Sequence, residues 1–259
     1  MSRRACASAF YADTLGQLPE TMADPAVYAG RNGAIVGKGS CGMSRYDALP
    51  LVRRLLRELP GPVDTIVDLG CGDGTILLDL CGDGPSGVGV DPHPPSIAAA
   101  RRAAAESGLE VSFAVDSAEG YLARGDGLPR GRTAYLTAFS LQEVLEQQDR
   151  DAVVQLVHAA VHCAEDSHLV VIEVDHRPDD PSKMRHGLGT AYYNPYYLLH
   201  QVTEQRLETT GFWRRLFSDA GTRVEAWMTT DPRVDSTALE FGCLLSRATE
   251  APGGEGGDA

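Results

Sequence analysis

Residues 138–147 read AFSLQEVLEQ and follow a strand-like run. They set two carboxylates, Glu143 and Glu146, one helical turn apart, with the amide of Gln142 beside the first. Acids at this spacing lie on one side of a helix. Two ionised carboxylates so close raise each other's pKa unless a cation lies between them. A guanidinium suits that place, because its planar fork can pair with two carboxylates at once. The plainer reading is a solvated first turn, where acids favour the helix dipole.

A glycine-rich turn lies upstream. VDLGCGDGT puts Asp68 before Gly70, Gly72 and Gly74. Glycines let a chain turn sharply and approach a ligand with no Cβ in the way. A dinucleotide fingerprint needs glycine three positions after Gly72, where Thr75 stands, so a nicotinamide-dependent oxidoreductase is disfavoured. Asp91 ends the next strand, where it can accept hydrogen bonds from both hydroxyls of a ribose. GAIVGKGS fails as a phosphate loop, since Gly33 and Gly37 enclose three residues instead of four and Gly39 precedes Ser40; it reads as a lid or linker.

Four histidines have spacing or position worth weighing. His158 and His162, four apart on one helix, have no evident third metal ligand and read as helix surface. His176 follows the strand VIEVD and His200 sits in YYLLHQ; either could act as base. Tyr192, Tyr193, Tyr196 and Tyr197 could wall a substrate pocket or pack an insertion on the sheet. Phe212 and Trp213 read as core, and Lys38 and Arg45 are candidates for a substrate carboxylate.

The elements that must position these groups alternate from Val63 onward. Strand-like TIVDL, GVGVD, EVSFAVD, TAYLTAFS and HLVVIEVD are separated by helical patterns, the rhythm of a parallel sheet covered on both faces. Residues 192–221 read as one long polar-aromatic helical region, and two closing strands, TRVEAWMTT and ALEFGCLLSRA, as an antiparallel edge pair. The chain divides into a helical N-terminal lid (1–60), a cofactor-binding domain (61–248) with a substrate-site insertion (176–220), and a Gly-rich acidic tail (249–259) expected to be disordered.

Bulk properties narrow the partners. With 259 residues, 43% hydrophobic and 23% charged, one sizeable α/β domain is expected. A formal charge of -13 speaks against nucleic acid. No apolar run is long enough to span a membrane, and no signal peptide is expected. Six scattered cysteines without a CxxC pair read as reduced thiols of a cytoplasmic protein, monomeric or homodimeric.

The D-x-G-x-G-x-G turn resembles the first motif of class I S-adenosylmethionine (SAM) methyltransferases. The resemblance implies a Rossmann-like, doubly wound seven-stranded sheet. The loop would wrap the amino-acid part of SAM, with Asp68 and the three glycines, Asp91 on the ribose, and Asp116 and Ser117 near the adenine. Ser140 through Glu146 would then face the methyl donor, and S-adenosylhomocysteine would be the product. SRYDALP, FSLQEVLEQ, YYNPYYLLHQ and TTDPRVDSTALEFG are similar to segments of the bacterial α-keto acid C-methyltransferases, over about residues 28–248. Some members of that group bind a metal ion that holds the keto acid and stabilises its enolate. Where that calls for a His-acid pair after the fourth strand, this chain has Gln142 and Glu143, so no metal is expected.

The leading expectation is therefore SAM-dependent methylation of a guanidino nitrogen of free L-arginine in natural-product biosynthesis. Glu143 and Glu146 would grip the guanidinium, much as two glutamates do in protein arginine methyltransferases. His176 or His200 would take the proton, and Gln142, Tyr193, Tyr196 and Tyr197 would line the substrate. The alternative is C-methylation at the β-carbon of a 2-oxo acid such as 2-ketoarginine. A SAM-binding protein without methyl transfer is the third reading.

Overall fold

A computed structural model of the protein describes residues 11–24, 26–31, 44–82 and 84–248. The GAIVGKGS glycines, Lys38 and the expected tail lie outside the described residues. Two short helices, α1 (Ala12–Gly16) and α2 (Leu18–Ala23), come first, and α3 (Ala48–Leu56) follows. The sheet then builds as β1 (Thr65–Leu69), α4 (Thr75–Cys81), β2 (Ser86–Asp91), α5 (Pro94–Ser107), β3 (Val111–Val115) and α6 (Ala118–Leu122). It continues through β4 (Thr133–Ala138), α7 (Leu141–Gln147), α8 (Arg150–His162) and β5 (Ser167–Val174). After α9 (Pro181–Met184), a π-helical turn (Gly189–Tyr193), α10 (Asn194–Gln201) and α11 (Thr210–Asp219), β6 (Thr222–Thr229) and β7 (Glu240–Arg247) close the chain.

The seven strands run in the order β3-β2-β1-β4-β5-β7-β6. The first five are parallel, while β7 pairs antiparallel with both β5 and β6. The order reverses at β1, so the ends of β1 and β4 flank the crevice where ligands bind in such sheets. Alternate residues of each strand feed opposite faces. Leu169 and Val171 of β5 meet Trp213, Leu216 and Phe217 of α11 and the buried face of α8. Val170 and Ile172 meet Leu51 and Leu55 of α3 on the other side. This double burial is why these strands read as unbroken apolar runs. The last part of the expected lid is thus one of the sheet's covering helices.

The aromatic insertion departs from a single helix. Α10 ends at Gln201, and Thr203 turns its hydroxyl back to the Leu199 carbonyl at 2.8 Å. The Arg206 N–H then donates to the Gln142 carbonyl at 2.9 Å. These bonds compete with helix continuation and tether residues 203–206 to α7. Beneath the insertion, Tyr193, Tyr197, Met184, Leu207 and Val174 form a third apolar cluster at the carboxyl end of the sheet.

Candidate active site

The glycine turn joins β1 to α4. Gly70, Gly72 and Gly74 have φ of 90°, 55° and 77°, left-handed values that favour glycine. Crowding adds a second reason: a Cβ on Gly70 would lie 2.9 Å from the Ser140 Cβ, and one on Gly74 2.9 Å from the Phe113 ring. The turn is therefore a bare backbone cradle, with Ser140 of the fourth strand end against it. Ser140 donates to the Leu69 carbonyl at 3.2 Å.

Asp91 closes the cradle. One of its oxygens accepts the Gly72 N–H at 2.9 Å and the other the His93 N–H at 2.8 Å. Asp68 lies behind the turn, buried, and desolvation followed by the charge of Asp91 pushes its carboxyl up to about 7. Asp116 is ion-paired with Arg124. Ser117 caps α6 by accepting the Gly120 N–H at 3.0 Å. A backbone cradle with acids at three strand ends suits a nucleoside bearing an amino-acid group.

The fourth strand leaves through Phe139, which takes a left-handed φ of 59°. Such a conformation in a bulky residue marks a constrained site. Its carbonyl accepts the amide of Gln142 at 3.2 Å. Gln142 is buried, and its Oε1 has no hydrogen-bond partner. The two glutamates of α7 take different partners. Glu143 accepts Arg31 at 2.8 Å and the Gln205 amide at 2.8 Å, both on Oε1. Glu146 accepts the Tyr28 hydroxyl.

The histidines converge from the insertion. His200 is buried, and its Nδ1 bonds to the Tyr196 carbonyl at 2.7 Å. That partner is an acceptor only, so the proton is on Nδ1 and the lone pair on Nε2. Desolvation, with Arg31 and His176 nearby, pulls His200 down to about 3. His176 stands edge-on to Tyr197 with its Nε2 buried and unpartnered. Both histidines line a cleft of about 170 Å³ with Tyr28, Glu146, Gln205 and Arg206. The tyrosines divide. Tyr196 packs on His200, with ring centres 3.8 Å apart. Tyr193 donates to the buried Asp235 at 2.8 Å and Tyr197 to the Asp175 carbonyl at 2.6 Å, so both hold the insertion together.

Glu173 was missed by sequence reasoning. It ends β5 buried beside the N-terminus of α7, its carboxylate oxygens facing the Leu141 and Gln142 amides without a hydrogen bond. Burial raises it to about 8. Its signal was an acid inside the apolar run HLVVIEVD, which is costly unless it serves a site. Arg31, Tyr28 and Gln205 were also missed as site residues. Among the described residues no three His, Cys, Asp or Glu side chains form a metal cluster.

The other candidates lie elsewhere. His158 and His162 stack with ring centres 3.9 Å apart and bond to the carbonyls of Ala220 and His158. Arg45 is ion-paired with Asp79 at 2.9 Å, and Trp213 is core. No described helix is long and apolar enough to cross a membrane.

Comparison with known proteins agrees with this geometry. Residues 66–163 match a methyltransferase domain family. The chain is 52% identical over 243 residues to 2-ketoarginine methyltransferase of Streptomyces arginensis, covering 92% of this chain and 68% of that protein. Its fold is shared with the mitomycin 7-O-methyltransferase MmcR (TM-score 0.66, 18% identity, 95% of this chain and 72% of the other). It is also shared with the O-methyltransferase NcsB1 from neocarzinostatin biosynthesis, solved with SAM and 2-hydroxy-5-methyl naphthoic acid (0.58, 15%, 95% and 70%). Cradle, sheet order and close kinship together make this chain a member of the SAM-dependent methyltransferase family that includes 2-ketoarginine methyltransferase, with SAM as its methyl-donating cofactor.

Proposed function

We propose that the protein methylates the β-carbon of a guanidino 2-oxo acid, 2-ketoarginine or a close analogue. The observation that carries this is the 52% identity to a 2-ketoarginine methyltransferase across 92% of the chain. It reverses the order of the two leading sequence readings and favours carbon over the nitrogen of L-arginine. The same direction is supported by the different partners of the two glutamates, Arg31 on Glu143 and Tyr28 on Glu146, in place of one shared guanidinium.

Bound SAM supplies an electrophilic methyl on its sulfonium. The glycine turn and Asp91 hold the cofactor, and Ser140 packs the turn from the fourth strand. Carbon methylation needs a base for the proton beside the ketone and a donor for the enolate oxygen. His200 presents its Nε2 lone pair to the cleft as that base, with the tautomer set by the Tyr196 carbonyl. With a pKa of about 3 the buried imidazole takes up a proton only when a negative charge stands beside it, which the substrate carboxylate supplies. Glu173, raised to about 8 by burial, keeps its proton at neutral pH beside the first turn of α7.

Incubation with SAM and either 2-ketoarginine or L-arginine, followed by NMR location of the methyl, tests the reading. A methyl on the carbon beside the ketone is expected. N-methylarginine as the sole product would sink it.

A further inference from the structure

The chain seats one of its own guanidinium groups at the mouth of this site. Arg31 and the Gln205 amide converge on a single oxygen of Glu143, each at 2.8 Å. The segment that brings Arg31 there is held in register with α7. Tyr28 bonds to Glu146 three residues along the helix from Glu143, matching the three-residue step from Tyr28 to Arg31. Between them the Ala29 N–H donates to the Val202 carbonyl at 2.7 Å, just past α10. Arg31 also senses His200, whose imidazole its charge helps keep neutral. A positive planar group therefore already fits against Glu143 beside the Gln205 amide.

Resting on the reading that the substrate carries a guanidinium, we infer that Glu143 is the residue that selects it, with Arg31 as an internal occupant that the substrate displaces. The side chains of Arg31 and Glu143 are 21% and 35% exposed, so incoming solute reaches the pair. Exchanging one guanidinium for another keeps the Glu143 charge paired throughout, which avoids leaving a half-buried carboxylate bare. The carboxylate fork matches a guanidinium in two parallel bonds, whereas an uncharged chain end leaves the Arg31 pair in place. Discrimination then comes from the exchange itself. A neutral 2-oxo acid gains nothing from it.

The test compares wild type, Glu143→Gln and Arg31→Gln with 2-ketoarginine and 2-oxohexanoate as competing acceptors. Thermal stability and SAM affinity are measured on each as folding controls. The ratio of kcat/KM values, 2-ketoarginine over 2-oxohexanoate, is expected to fall at least about tenfold in Glu143→Gln. It is expected to rise about threefold in Arg31→Gln, where the competitor is gone. An unchanged ratio in Glu143→Gln, or a fall in Arg31→Gln, overturns the inference; the latter would make Arg31 a substrate ligand. If wild type methylates neither acid, the proposed reaction fails on its own. The inference is then decided by calorimetric binding of agmatine to the protein loaded with S-adenosylhomocysteine: weaker binding by Glu143→Gln sustains it, and equal binding overturns it.

Discussion

The Nδ1 of His200 lies 2.7 Å from the carbonyl oxygen of Tyr196, one helical turn earlier. This bond orients the ring and fixes which nitrogen faces the cleft. Replacing His200 by Gln is expected to lower kcat by about 100-fold or more, the usual contribution of a positioned base. SAM affinity should stay within about twofold of wild type, because the glycine cradle is untouched. Stopped assays at saturating SAM, with the cofactor Kd measured by calorimetry, check both halves.

The same histidine predicts an acid-side dependence. Its pKa falls from about 6.5 in the unfolded chain to about 3 in the native protein. Between those values the unfolded chain binds the extra proton, so stability from the neutral imidazole is complete above about 6.5 and drains away as pH falls toward 3. Wild type should lose more thermal stability from pH 7 to pH 5 than His200→Gln does.

Asp68 predicts the opposite slope. Its carboxyl is raised from 3.8 to about 7, so the native state keeps a proton that the unfolded chain releases. Stability is complete below about 4 and declines as pH rises toward 7. Asp68→Asn removes that decline. The Tm of the variant should gain at least about 3 °C on wild type between pH 5 and pH 8, measured without cofactor.

Gly74 and Gly108 share a left-handed backbone, with φ of 77° and 69°. A Cβ on Gly108 meets nothing within 4 Å, while one on Gly74 meets Phe113 at 2.9 Å and Ala100 at 3.1 Å. Gly108→Ala should cost about 1–2 kcal/mol of conformational strain and leave SAM affinity alone. Gly74→Ala should cost more than that and weaken SAM binding. Equal losses in denaturant titrations would show that crowding at the cradle is irrelevant.

Tyr193 should affect stability and leave turnover alone. Tyr193→Phe removes one of the hydrogen bonds to the fully buried Asp235, which keeps those from Thr237 and the Glu240 N–H, and should cost about 1–3 kcal/mol. Its kcat at low temperature should hold near wild type.

Much of the cofactor half was legible in the sequence because its cause is local. Glycines at fixed steps after an apolar strand report the backbone turn they permit, and the strand ends followed from apolar runs bounded by turns. The closing strands were also legible as an antiparallel pair, although β7 lies inside β6 and pairs directly with β5. The substrate half was only partly readable. Glu143 and Glu146 were found by spacing, but their partners Arg31 and Tyr28 lie more than one hundred residues away in sequence, and no periodicity links them. The four tyrosines look alike in the chain, and only tertiary contacts distinguish the one beside His200 from those that brace the insertion.

The packing of α3 on the sheet carries a consequence for how the chain is made. A Cβ on Gly242 would lie 2.8 Å from Leu55 and 2.7 Å from Ile172, so helix and strand meet at bare backbone there. Leu55 leaves the ribosome nearly two hundred residues before Gly242 does. During synthesis the apolar face of α3 can pack on β5 first, and it gains its last neighbour only when β7 slots in between β5 and β6. A deletion confined to β7 therefore uncovers part of a helix that lies nearly two hundred residues earlier in the sequence.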